Sequence, residues 1–400
     1  MRGISTKKVR DSFKLFHRIW RAIFNYRNTE VQWSAPRKVK IVFYDVAGLE
    51  LFVPIFGEEP YEIIYVRREK IYITPGILWN TIVNLARVRP PLAAYALALV
   101  QYIRPAIVVT FNDNEHNFGI IAQHYSDARF LAFQNGLRPT GLKNVLEDHP
   151  QFLPKFGWLP ETLSEFACFG QKEVDQYTRD GIKVDKFYPI GSLRDSYYRE
   201  YYADKNPAIK YDVCLVSTVG MSDPIECPDT DVANRKLATY FARFVGRTKK
   251  TVVVAGRNDP TISMKDYLYE LQWYRNRMGE QCNLMPNNSH SCSTFSLQDS
   301  SAVSVSFCST ALYEAFGRER RVLFCNFTNS EVWDVPEKGI WSLGNCSYEE
   351  FEERLLSLLA MTDEEFQRIS HSAAKYVMNY DKENPPIKFL RNLIAEAVKK

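Results

Sequence analysis

The sequence predicts an α/β protein built as two Rossmann-like domains facing across a cleft. Three observations carry that prediction. From residue 39 onward, runs rich in β-branched and aromatic residues alternate with helix-like runs, the pattern of a mainly parallel sheet covered by helices. The 400 residues exceed what a single hydrophobic core organises. The alternation also stops at a polar, proline-containing stretch, ADKNPAIK (203–210), and restarts at once. The expected division is a basic amphipathic segment over 1–38, a first domain over 39–205 and a second over 206–400.

VKIVFYD (39–45) opens the first series as a buried strand, and EIIYV (62–66) and KIYIT (70–74) follow as strands. A long helical region runs from Ile77 to Tyr102. Pro90 and Pro91 must interrupt it, because proline lacks an N–H and clashes with the preceding turn. AIVVTF (106–111) reads as a strand, EHNFGIIAQHY (115–125) as a helix and RFLAFQ (129–134) as a strand. Beyond a loop-rich stretch (136–160) come the strand EFACFG (165–170), the helix QKEVDQYTRDG and the strand KFYPIG. The second series holds strands at YDVCLVST (211–218), TVVVAG (251–256), AVSVSF (302–307) and RVLFCNF (321–327). Helices are expected from about Asp231 to Val245, around 265–277 and over 310–318, and two more, 348–360 and 363–379, close it. Ligands of open α/β sheets bind outside the carboxyl ends of the strands, so those exits are where chemistry is sought.

Composition narrows the class. Hydrophobic residues make up 46% and charged residues 24%, which excludes disorder and collagen-like repeats. The most apolar run, PLAAYALALV (91–100), ends at Gln101, Arg104 and Pro105, too short to span a bilayer. The basic N-terminus has no apolar core with a small-residue cleavage site, so a cytoplasmic protein is expected. Eight scattered cysteines form no C-x-x-C pair and read as reduced core thiols. His116 and His124, eight apart with no third ligand nearby, are not a metal pattern.

Residues 1–40 hold eleven basic residues against two acidic ones, whereas the rest of the chain is net acidic. Val9, Phe13, Phe16, Trp20 and Ile23 recur every three or four residues, with Lys7, Arg10, Lys14, Arg18 and Arg21 around them. Two readings stand: a helix over residues 1–28 resting on anionic lipid, or a helix docked on its own domain with a solvated basic face. Nucleic acid is not expected as a partner, since the body is acidic and lacks an aromatic-basic recognition motif.

SAVSVSFCSTALYEAFGRERRVLFCNF (301–327) is the clearest local signal. A buried strand runs into Cys308-Ser309-Thr310 at the start of a helix, where free backbone N–H groups and hydroxyls suit a phosphate. Glu314, one turn on, would accept from ribose hydroxyls. The alternative is a plain N-cap at Ser309 or Thr310 and an exposed Glu314.

Together with the helical tail SYEEFEERLLSLLAMTDEEFQRISHSAAKYVMNYD, this segment resembles the C-terminal half of GT-B glycosyltransferases. VVTFNDNEHNFGIIAQHYSDARFLAFQNGLRP (108–139), FYPIGSLRDSYY (187–198) and YDVCLVST are similar to bacterial surface-carbohydrate biosynthesis proteins, most closely the retaining β-Kdo glycosyltransferase domain of O-antigen synthases. The resemblance implies a GT-B-like fold, CMP-β-Kdo as donor substrate and no cofactor or metal. It implies a lipid-linked polysaccharide acceptor, a place at the inner membrane, further synthase domains and an aspartate that forms a Kdo adduct.

Retention requires two inversions, the first by an ionised enzyme carboxylate. Asp223, Asp229 and Asp231 follow the first strand of the second series, and the match in position to the family's aspartate selects Asp231, with Asp229 the helix cap. The donor's carboxylate and phosphate call for fixed positive charge, for which Arg257, Lys236 and Arg194 are candidates. In the first series, Asn112, Asp113, Gln134 and Asn135 offer hydrogen bonds to an acceptor sugar, and Glu115 and His116 offer proton transfer. Turn formation by Asn and Asp is the competing account. Other nucleotide-sugar transferases of this architecture, and a non-catalytic glycan- or nucleotide-binding module, are the rival functions.

Overall fold

The computed structural model describes residues 29–67, 69–138, 162–204, 207–220, 228–279, 282–288, 291–328 and 330–399. The basic amphipathic segment over 1–28, Asp223 and most of the loop-rich stretch lie outside the described residues.

The apolar runs form the strands expected of them. β2 (Ile41–Tyr44) and β5 (Ile107–Thr110) are buried along their whole length, as are β10 (Val252–Ala255) and β13 (Val322–Cys325). That is the burial expected of parallel strands covered on both faces. The strands up to residue 189 make one six-stranded sheet, ordered β3 (Tyr61–Ile64), β2, β5, β6 (Arg129–Phe133), β7 (Thr162–Cys168), β8 (Lys183–Pro189). A second six-stranded sheet runs β11 (Leu284–Met285), β10, β9 (Tyr211–Val216), β12 (Ser301–Ser306), β13, β14 (Ser342–Leu343). Both sheets are built from parallel pairs, such as Val213 beside Val252 and Ile41 beside Ile107.

By packing, the described residues form two compact units. The first takes those up to Ala132, Thr162–Ser164 and those from Leu393 on; the second takes Phe133 to Asn392 apart from those three. The second unit's core is aromatic-rich, with Tyr240, Phe241 and Phe244 of one helix meeting Phe351 of another.

Local sequence explains most helix limits. The long apolar region splits into α2 (Pro75–Leu85) and α3 (Pro91–Ile103), and the break falls at Pro90 and Pro91. α11 (Tyr348–Ala360) and α12 (Asp363–Val377) each open with a capping box, Ser347 with Glu350 and Thr362 with Glu365. Two features go beyond the expected elements. KIYIT forms its strand outside the six-stranded sheets: β4 (Lys70–Tyr72) pairs with β1 (Glu30–Gln32), an unforeseen strand, in a separate two-stranded sheet. A helix, α1 (Leu49–Phe56), follows β2 despite Pro54 inside it. Its entry needs Gly48, whose φ of 78° is left-handed and where a side chain would strike the Phe111 ring. The remaining helices are α4 (His116–His124), α5 (Gln171–Arg179), α6 (Leu193–Tyr201), α7 (Pro228–Thr248), α8 (Met264–Met278), α9 (Ser293–Asp299), α10 (Thr310–Gly317) and α13 (Pro386–Lys399).

Candidate functional site

The second unit's sheet, numbered by its own strands, has the order 3-2-1-4-5-6. In such a sheet the strand order reverses between strands 1 and 4, here β9 and β12, and open α/β sheets bind their ligands outside the carboxyl ends of the strands at such a point. The two strands are stitched there, since the buried Ser306 hydroxyl donates to Val216 O (2.9 Å). β12 runs through Phe307 and Cys308 into α10. Ser309 stands at the N-cap position, but its side chain makes no capping bond. The first N–H groups of a helix have no intrahelical acceptor, so this start is open to an anion. The Thr310 hydroxyl accepts from Leu137 N–H (3.0 Å), which brings the loop after β6 to the same point.

Glu314 is buried, not exposed, and accepts from the hydroxyl of Ser192, the N-cap of α6. Burial pushes its carboxyl up to about 7, against the pull of nearby Arg194. Ser192 therefore occupies the carboxylate expected to meet a ribose. Beside it, Arg318 on the C-terminal side of α10 lies buried between Asp195 and Asp299. Arg194 is thus grouped with Glu314 at the start of α6.

β9 is followed by Ser217 and Thr218, both buried, and Thr218 donates to Asn234 Oδ1 (2.6 Å) on α7. Asp231 sits in the first turn of α7 with Asp229, and Arg235 Nε is 2.6 Å from its Oδ2. Arg277 lies within electrostatic reach of both Asp231 and Arg235, with its guanidinium stacked on Trp273 at 3.8 Å. Two cations therefore attend this one carboxylate. Lys236 turns away from that group: it bonds Asn345 Oδ1 and lies over Tyr240 and Phe327. Arg257 leaves β10 with an exposed side chain, while its backbone N–H donates to the buried Glu270 (2.9 Å). Glu270 also receives Asn258 N–H (3.0 Å) and so fixes the loop after β10.

Gln134 has both ends of its amide engaged within the second unit. Its Nε2 donates to Gly136 O (3.0 Å) and its Oε1 accepts from Phe169 N–H (2.9 Å). Asn135 Oδ1 accepts from Arg138 (3.2 Å).

In the first unit the strand order reverses between β2 and β5, which pair in parallel. Asp45, at the end of β2, is fully buried with φ 73°, a left-handed value that non-glycine residues seldom adopt. Its carboxylate accepts from Val46 N–H (2.7 Å) and Asn112 Nδ2 (3.1 Å), with Arg67 at 3.5 Å. Asp113 is buried alongside in sequence. Glu115 caps α4, accepting from Phe118 N–H (3.0 Å), Tyr44 OH (3.0 Å) and Asn117 Nδ2 (2.6 Å). Burial raises its carboxyl above the usual range despite those donors. His116 is exposed on the first turn.

Sequence reasoning missed Asp45, Ser192, Arg235, Arg277 and Glu270. Asp45 alone carried a readable signal, as the polar residue ending an otherwise apolar strand.

No family model and no curated protein matches the sequence. Solved structures do match it. A substituted form of the wall teichoic acid polymerase TagF shares 10% identity over 99% of both chains, with a TM-score of 0.52. A TagF structure soaked with CDPG gives 9%, 99% of both chains and 0.51. The S. aureus MnaA–UDP co-structure gives 11% over 90% of this chain and 96% of that one, also at 0.51. Likeness at such identities is likeness of fold: α/β with parallel sheets and two Rossmann-like domains, as found in GT-B glycosyltransferases.

Proposed function

We propose that the chain is a nucleotide-sugar-dependent glycosyltransferase of surface carbohydrate biosynthesis. One observation carries the reading. The aspartate-bearing helix α7 and the uncapped helix α10 follow the two strands that flank the switch point of a Rossmann-ordered sheet. That arrangement offers an anion site and a carboxylate at the place where such sheets hold nucleotides. The CDPG and UDP in the matched TagF and MnaA structures accord with it.

The finer reading is transfer of Kdo from CMP-β-Kdo, with retention, to a lipid-linked polysaccharide acceptor at the cytoplasmic side of the inner membrane, without a metal. The ionised Asp231 carboxylate attacks the anomeric carbon as its bond to the CMP phosphate oxygen breaks, giving an aspartyl ester and free CMP. Arg235 Nε pairs with that carboxylate at 2.6 Å. The acceptor hydroxyl then attacks the same carbon and gives up its proton to water, and Asp231 leaves as carboxylate. Ser309 and Thr310 take the phosphate. The test is incubation with CMP-Kdo and intact mass measurement. A Kdo adduct in the wild type that disappears in Asp231→Ala is expected; neither adduct nor CMP release would remove donor and nucleophile together. A donor other than CMP-Kdo is the second reading, favoured by the UDP of the MnaA structure. Stabilisation by UDP above CMP in a thermal-shift panel would select it.

A further inference from the structure

Helix α2 is amphipathic in the wrong sense for a soluble surface helix, which turns its apolar face inward. Its packed face carries Ile77 with the polar Thr81 and Asn84. The buried Asn84 amide donates to Ala94 O (3.3 Å) and Gln101 Oε1 (3.1 Å), both on α3. The outward face is apolar: Leu78 is 46% exposed, Trp79 66%, Ile82 61%, Val83 42% and Leu85 41%. These positions lie on two adjacent helical stripes, 78, 82, 85 and 79, 83. Trp33, 76% exposed, follows Gln32, whose carbonyl accepts from Ile73 N–H (2.8 Å) two residues before the helix begins. Five exposed large apolar side chains side by side on one helix mark an interaction surface.

Charge selects the partner. α2 contains no charged residue. From Lys70 to Asn112 the sequence has no acidic residue and four basic ones, Lys70, Arg87, Arg89 and Arg104. Arg87 and Arg89, directly after the helix, are exposed. Residues 1–28 are themselves basic, so the like charge of this region works against their covering α2, whereas one anionic surface attracts both.

We propose that α2 lays its outward face into an anionic lipid surface, with Trp79 and Ile82 entering the acyl boundary and Arg87 and Arg89 meeting headgroup phosphates. The site is independent of the transfer reaction proposed above and distinct from residues 1–28.

The experiment is flotation of the full chain with vesicles of phosphatidylethanolamine containing phosphatidylglycerol, and with phosphatidylcholine alone. Trp79→Ser/Ile82→Ser removes the protruding side chains, and an unchanged melting temperature confirms that its fold is intact. The wild type is expected to float with the anionic vesicles, and the double variant to lose at least tenfold in partition. Equal flotation of variant and wild type overturns the proposal, as does failure of the wild type to bind. Light scattering that finds a wild-type dimer, monomeric in the variant, would give the face to a second copy. Amides 78–85 protected without lipid, and exposed by Phe13→Ser/Trp20→Ser, would give it to the N-terminal segment. Either result also overturns the lipid assignment.

Discussion

Replacing Glu314 with glutamine removes a titration without removing the group that accepts from Ser192. The unfolded chain ionises a glutamate near its ordinary 4.5, while the folded protein holds this proton up to about 7. Burial is the chief cause, and Arg194 only partly offsets it. A carboxyl raised by folding stabilises the fold in its protonated form. The contribution is therefore complete below about pH 4.5, fades as pH rises through that window, and is gone above about pH 7. At 1.36 kcal/mol per unit the loss amounts to about 3 kcal/mol. Glu314→Gln escapes that loss, so the variant should gain about 3 kcal/mol on the wild type between pH 4.5 and pH 8. Urea unfolding reports the difference when followed by pulsed hydrogen exchange of the peptide containing β12, which isolates the second unit. Carboxyl ¹³C NMR should place the Glu314 midpoint near neutrality. A stability difference that stays flat with pH, or a midpoint near 4.5, would refute the reasoning.

Two further outcomes are expected. Thr310→Val leaves the Leu137 N–H without its 3.0 Å acceptor and takes a hydroxyl from the helix start. It should cost about 1 kcal/mol in stability and, on the proposed function, weaken CMP binding severalfold by calorimetry; unchanged affinity would remove Thr310 from the proposed nucleotide site. Asp195→Ala strips one carboxylate from the buried Arg318, and breaking such a pair costs about 3–5 kcal/mol, visible as a large fall in melting temperature. A loss below about 1 kcal/mol would mean that Asp299 alone suffices to neutralise the guanidinium.

The strands were legible because parallel strands buried on both faces are written as continuous apolar runs: IVFY, IVVT, VVVA and VLFC are readable without context. The closing helices were legible as well, and the structure shows that each opens with a capping box. β1 and β4 were not, since three-residue strands gain their identity from each other. α1 was hidden by Pro54 and by an entry that rests on one glycine conformation. Around the site, the exits of β9 and β12 were found because an exit is a sequence position. Side-chain roles there were less readable. Glu314 reads as an acceptor for ribose hydroxyls, or else as an exposed helix residue, and nothing local shows that it is buried against Ser192, more than a hundred residues earlier in the chain. Arg277 joins Asp231 only because α8 packs beside α7. Trp79 and Ile82 are the opposite case, apolar side chains of a helix that turns them outward, which a run of apolar residues does not announce.

The buried pairing of Asp195 with Arg318 also constrains how this molecule can diverge. Loss of Arg318 leaves the Asp195 carboxylate in a place that water hardly reaches, and loss of Asp195 takes from the guanidinium its most deeply buried partner, so either single step is punished although a joint exchange for well-packed neutral side chains need not be. The two codons should therefore behave as one heritable block. In a random library they would show strong epistasis, with survivors either keeping both or having replaced them in concert.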